Sequence, residues 1–104
     1  MNQQAMLNKL KKMQDDMLKT QEEINSTIFI GKAGGVVTIE MFGTKHLASV
    51  EIDKEFLPIE EDGVEMLSDM IQAACEDCYQ QIEKMTDEKM GPFNSFLGGM
   101  GGLF

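Results

Sequence analysis

The sequence has no arginine, no tryptophan, one tyrosine, one histidine and no long apolar run. Nothing in it approaches the roughly 20 apolar residues that cross a bilayer, so no transmembrane helix is expected. A signal-peptide core is excluded as well, because Lys9, Lys11 and Lys12 stand where one would have to be. The expected location is the cytosol, where Cys75 and Cys78 stay reduced. Two cysteines and one histidine fall short of the four ligands that zinc wants, and only an intersubunit site built from two such cysteine pairs would escape that objection. Positive charge is scarce too. Nine lysines face eighteen acids, for a net charge of -9. Taken whole, such a chain is a poor electrostatic binder of nucleic acid, because phosphate neutralisation needs a basic face.

What is present is methionine, ten residues of it. Methionine is an adaptable filler that suits helix seams and adjustable interfaces. A length of 104 residues predicts one domain, and a lone chain of this size buries only about two-thirds of its unfolded surface. Both facts are compatible with a dimer whose subunits complete each other's cores. The charge is also uneven. Residues 1–14 carry three lysines and no acid, residues 1–24 sum to zero, and residues 51–90 hold thirteen acids against three lysines.

Residues 2–25 read as a helix. Met6, Leu10, Met13, Met17 and Ile24, with Thr20 in the missing place, follow alternating steps of 4 and 3, a short heptad seam. Residues 27–31 are β-branched and aromatic and predict a strand. Ala33-Gly34-Gly35 predicts a turn. Residues 36–42 alternate, with Val37, Ile39 and Met41 on one face, and Gly43-Thr44 turns again. In residues 45–52 the alternation puts His46, Ala48, Val50 and Ile52 on one face and Leu47, Ser49 and Glu51 on the other. Residues 53–62 are a connector in which Phe56-Leu57-Pro58-Ile59 anchors to the core. Residues 63–90 read as a long second helix, with Val64, Leu67, Ile71, Ala74, Cys75, Cys78, Ile82 and Met85 at steps of 3 and 4 and Gly91-Pro92 as its stop. The expected fold is α+β in the order α-β-β-β-α: a three-stranded antiparallel meander with a long helix before and after it. The domain is expected over residues 1–92, followed by a flexible Gly/Phe/Met-rich tail over 93–104.

In this order the segments resemble the YbaB/EbfC family of nucleoid-associated proteins. The first helix, Met6-Leu7-Asn8-Lys9-Leu10-Lys11-Lys12-Met13-Gln14, is similar to the family's Met- and Gln-rich first helix. Gly34-Gly35-Val36-Val37 and Val50-Glu51-Ile52-Asp53 resemble its core segments. Residues 65–74 resemble its E-x-L-x-D-x-I-x-A-A pattern, and Glu83-Lys84-Met85 and Glu88-Lys89-Met90 its second-helix end. The resemblance implies a homodimer built through the sheet, with helices projecting as paired arms. It implies binding of duplex DNA in the nucleoid through backbone contacts, with little or modest sequence preference. The DNA-contacting candidates it points to are Lys9, Lys11, Lys12 and Lys19, then Lys84 and Lys89. The alternative is an acidic protein-interaction adaptor that works through the Met-rich seam and the tail, without direct DNA binding and with an unidentified protein partner.

Each candidate has a plainer counterpart. The lysines can be phosphate-binding point charges or a solvated helix face, with Lys11–Asp15, Lys12–Asp16 and Lys19–Glu23 pairing at i,i+4. Cys75-Glu76-Asp77-Cys78 is a CxxC, but it lies mid-helix beside two acids. That environment raises a thiol pKa, whereas redox chemistry needs it lowered. The cysteines are expected to be small apolar seam residues. His46 is expected to be partly buried and hydrogen-bonded. No serine or carboxylate constellation surrounds it, so no catalytic residue, cofactor or metal is expected and the protein is not read as an enzyme.

Overall fold

The computed structural model describes residues 2–56 and 60–99. Its elements run α1 (Gln3–Ser26), β1 (Ile28–Ala33), β2 (Val37–Phe42), β3 (Leu47–Ile52), a short 3-10 turn (Lys54–Phe56) and α2 (Glu61–Gly99). The strands form one antiparallel sheet in the order β1-β2-β3. This is the α-β-β-β-α meander that the sequence predicts.

Local chemistry explains most of the boundaries. The Asn2 side chain caps α1 by accepting a hydrogen bond from the Ala5 N–H at 3.0 Å. At the other end, the Ser26 and Thr27 hydroxyls donate to the carbonyls of Glu22 and Glu23, closing the helix before β1. The β1–β2 hairpin turns on Gly34 and Gly35, with φ of 60° and 68°, and the Val36 N–H bonds the Ala33 carbonyl. Three residues separate the paired Ala33 and Val37, and glycine adopts the two consecutive positive φ values of this turn without strain. The β2–β3 turn places Lys45 at φ 72°, with its ammonium 5.9 Å from the Tyr79 ring centre.

The core lies where α2 crosses β1 and β2. Phe29, Val37, Ile39 and Met41 from the sheet meet Ala74, Cys78 and Ile82 from the helix, all buried. Gly31 makes the crossing close: a Cβ there would lie 2.1 Å from the Ala74 carbonyl oxygen. At the opposite end of the sheet α1 lands on Gly43, where a Cβ would lie 1.9 Å from the Ile24 carbonyl oxygen.

The structure departs from the sequence-based expectation at four places. First, α2 starts at Glu61 and does not stop at Gly91-Pro92 but continues to Gly99. Pro92 removes one N–H, the partner of the Glu88 carbonyl, yet the flanking turns keep their own bonds and the helix continues. Second, the pairing of Glu40 with Ser49 and of Met41 with Leu47 reveals a bulge in β3. The extra residue, Ala48, returns Leu47 to the face shared by Val50 and Ile52, which simple alternation had opposed. Third, His46 is exposed rather than partly buried. Its backbone carbonyl accepts from the Phe42 N–H at 2.9 Å, which binds the turn without using the ring. Fourth, the sheet is covered less widely than expected, because α2 packs on β1 and β2 and leaves Leu47, Val50 and Ile52 of β3 exposed. Of the expected anchor, Phe56 is half-buried, and Leu57, Pro58 and Ile59 lie outside the described residues, as do Met100–Phe104 of the tail.

Candidate nucleic-acid interface

At 1.5 Å per residue α1 is about 36 Å long, while a six-residue strand is about 20 Å. A helix of that length must overhang so small a sheet. Its direction follows from contacts. Met70 lies under Gly34 at one end of the sheet, and Cys78 approaches the Phe29 and Ile39 carbonyls at 3.7 and 3.6 Å. Farther along α2, Lys89 forms an ion pair with Glu23 of α1. From that pair α1 runs outward, antiparallel to α2. The path from Glu61 up to Lys89, and on from Glu23 to Gln3, spans about 72 Å of helix rise. The long axis of the molecule measures 71 Å, which fits this arrangement. Met13 then stands about level with Gly99, ten residues from the ion pair on each helix. The first three turns of α1 therefore extend past the last described residue of α2 and form a tip.

The burial pattern agrees. Leu10, Met13, Met17 and Thr20 of the heptad seam are half-buried and Ile24 is fully buried, but Met6 and Leu7 are each 52% exposed. Lys9, Lys11 and Lys12 are exposed on this tip, and Lys19 is exposed farther down. Among the described residues the only ion pair is Lys89–Glu23, so Lys11–Asp15, Lys12–Asp16 and Lys19–Glu23 do not close as i,i+4 pairs. The tip lysines are unneutralised at contact distance. Lys84 is exposed, but Lys89 is already committed to Glu23. The six candidates therefore do not converge: three form the tip, Lys19 lies along α1, Lys84 lies near the helix–sheet core, and Lys89 pairs with Glu23 between the two helices.

Charge is sorted along the molecule. Residues 90–99 contain no ionisable side chain, so the described end of α2 carries no side-chain charge to offset the tip lysines. Asp53, Glu55, Glu60, Glu61, Asp62 and Glu65 gather around the start of α2, at the opposite end. Lys9 and Glu61 are about 60 Å apart by helix rise. The Debye length at physiological ionic strength is about 8 Å. The acids at the base thus have almost no electrostatic hold on the tip, and net charge is the wrong guide to what the tip attracts.

The cysteines are structural. Burial pushes the Cys78 thiol up from its ordinary pKa, with Asp77 and Cys75 adding to the rise. Its hydrogen-bonding distance to two strand carbonyls makes it part of the helix–sheet crossing. Both cysteines are free. Among the described residues no group of three or more His, Cys, Asp or Glu side chains converges as a metal site, and no helix is long and apolar enough to cross a membrane.

Sequence reasoning missed the bare face of β3 and the exposed Met6–Leu7 pair. The mismatch between a 24-residue helix and six-residue strands was the one signal that could have exposed the tip.

A family model described as the YbaB/EbfC DNA-binding family matches residues 1–97. The chain is 40% identical over 98 residues to a nucleoid-associated protein of Lactococcus lactis subsp. cremoris, covering 93% of this chain and 97% of that one. It is 36% identical over 105 aligned residues to a nucleoid-associated protein of Chloroflexus aurantiacus, covering both chains fully. The crystal structure of the uncharacterized protein HP0035 from Helicobacter pylori superposes with a TM-score of 0.67 at 24% identity, covering 92% of this chain and 98% of that one. That likeness concerns the fold alone.

Proposed function

The chain belongs to the YbaB/EbfC DNA-binding family, and from that premise we propose that it binds duplex DNA as a homodimer, through backbone contacts made by Lys9, Lys11 and Lys12 at the tip of α1. The observation that carries this reading is the placement of charge along the 71 Å axis: Lys9, Lys11 and Lys12 stand exposed at one end with no acid among residues 1–14, and a cluster of six acids lies at the other end. Lysines there act as point charges on phosphate, which favours affinity without base readout. Lys19 and Lys84 contribute less, and Lys89 is engaged with Glu23 rather than with phosphate.

The homodimer rests on the two unlike edges of the sheet. Side chains of α2 close the β1 edge: the Asp77 carboxylate accepts from the Lys32 N–H at 3.3 Å, and the Gln81 amide donates to the Ile30 carbonyl at 2.7 Å. Nothing comparable protects β3 among the described residues. Because the Phe42 N–H points at β3 and bonds the His46 carbonyl, the alternation of an antiparallel ladder turns the backbone groups of Val50 and Ile52 outward. An open edge flanked by exposed Leu47, Val50 and Ile52 is a template for pairing with a second copy. Two copies joined there present two basic tips, and linked sites bind one duplex more tightly than either alone.

The test is a salt titration of binding to duplex DNA. A phosphate-driven complex weakens steeply between about 50 and 200 mM salt. Replacing Lys9, Lys11 and Lys12 with alanine should flatten that slope and weaken binding to all sequences alike. Absence of any complex with wild-type protein at micromolar concentration and low salt would sink the DNA reading. Val50→Asp, with the mass measured by light scattering, should halve the particle if β3 is the dimer edge.

A further inference from the structure

We propose that Met6, Leu7 and Leu10 form an apolar wedge that enters the minor groove and partly unstacks one base step while the neighbouring lysines hold the phosphates on either side. The proposal rests on the DNA-binding reading above and says how the tip engages the duplex.

Three observations carry it. Met6 and Leu7 are each 52% exposed on the part of α1 beyond the last described residue of α2, while Leu10 beside them and the seam residues behind are half-buried or buried. Met6, Leu7 and Leu10, with Gln3, line one shallow concavity, so they form a continuous patch. Their placement around the helix is specific. At about 100° per residue, taking Met6 as zero, Leu10 falls near 40° and Leu7 near 100°. On the same scale Lys11 falls near 140°, and Lys9 and Lys12 near 300° and 240°. The apolar stripe is therefore flanked by lysine on both sides.

That arrangement suits a duplex better than a second copy of the tip. Tip-to-tip packing would bring like charges together with no acid among residues 1–14 to offset them. A nucleic-acid groove offers phosphates on both sides and a base stack between them. Leucine and methionine wedges of this kind unstack a step and kink the duplex, an energetic cost offset by added contact. Lys11 on one flank and Lys9 and Lys12 on the other would reach the phosphates of the two strands.

The experiment uses the full chain and a duplex carrying 2-aminopurine at successive positions. Wild type should raise the fluorescence as the labelled base loses its stacking. The double variant Met6→Ala, Leu7→Ala should lose that rise while keeping its salt slope, because the lysines remain. Alanine favours helix, and unchanged helical circular dichroism would exclude unfolding as the cause. Replacing Lys9, Lys11 and Lys12 with alanine should instead flatten the salt slope. Wild-type binding with no fluorescence rise at any position, or a rise that the double variant retains, would overturn the wedge and leave the phosphate reading intact. No wild-type binding at all would overturn both.

Discussion

α1 and α2 carry nearly the same apolar spacing, yet they meet different fates. α2 buries Ala74, Cys78 and Ile82 against the sheet, whereas α1 buries Ile24 alone. The difference lies in what each helix is given to pack on. α2 crosses two strands whose inner face is Val37, Ile39 and Met41, with Gly31 allowing close approach. α1 leaves the sheet at Gly43 and, among the described residues, has the far part of α2 beside it. An amphipathic pattern states that a helix has a face to cover; the lengths of the neighbouring elements decide how much of that face is covered. The covered helix supplies stability and the uncovered one supplies reach.

Substitutions in the two regions should separate stability from binding. The largest effect is expected from Gly31→Ala. The added carbon would lie 2.1 Å from the Ala74 carbonyl oxygen, so backbone must move. A loss of about 3 kcal/mol or more is expected, lowering Tm by over about 12 °C in a thermal melt. The triple replacement of Lys9, Lys11 and Lys12 by alanine should do the reverse. Its Tm should stay within about 0.5 kcal/mol of wild type in stability terms, while DNA affinity falls.

Cys78 sharpens the comparison through pH. Its thiol is held above the ordinary value of 9.0 in the fold. The unfolded chain therefore loses the proton first as pH rises. The stability tied to the neutral thiol is fully present below about pH 9 and is lost on going higher. Denaturant titrations at pH 7 and pH 10 should show a decline that Cys78→Ala reduces. An equal decline in both proteins would show that the thiol is not responsible.

The smallest effect is expected where the helices meet. Glu23 and Lys89 are both more than a third exposed, with side-chain accessibilities of 60% and 36%. A double-mutant cycle with Glu23→Gln and Lys89→Gln should give a coupling of about 0.5 kcal/mol. A coupling several times larger would mean that the arm depends on this one pair for its direction.

Much of this was legible beforehand. The heptad steps from Leu10 to Ile24, the Gly34-Gly35 turn and the alternation of Val37, Ile39 and Met41 each identify their element, because each pattern has a short-range cause. The position of the β3 apolar residues was not legible, since one inserted residue at the Ala48 bulge reverses the face of Leu47. The run of α2 past Pro92 was hidden for a similar reason: proline marks a weak point in a helix, but surrounding turns can carry it. The tip lysines were visible as residues. Their freedom from Asp15 and Asp16 was not, because sequence spacing permits an ion pair without requiring it.

The sequence by itself determined the elements, their order and the sorting of charge along the chain, since all three follow from neighbours a few residues apart. Only the tertiary structure decided that the basic segment would extend past the described end of α2 and that no side chain among the described residues would close the β3 edge. Both depend on where one helix ends relative to another, a long-range matter of lengths and crossing points on which local propensity is silent.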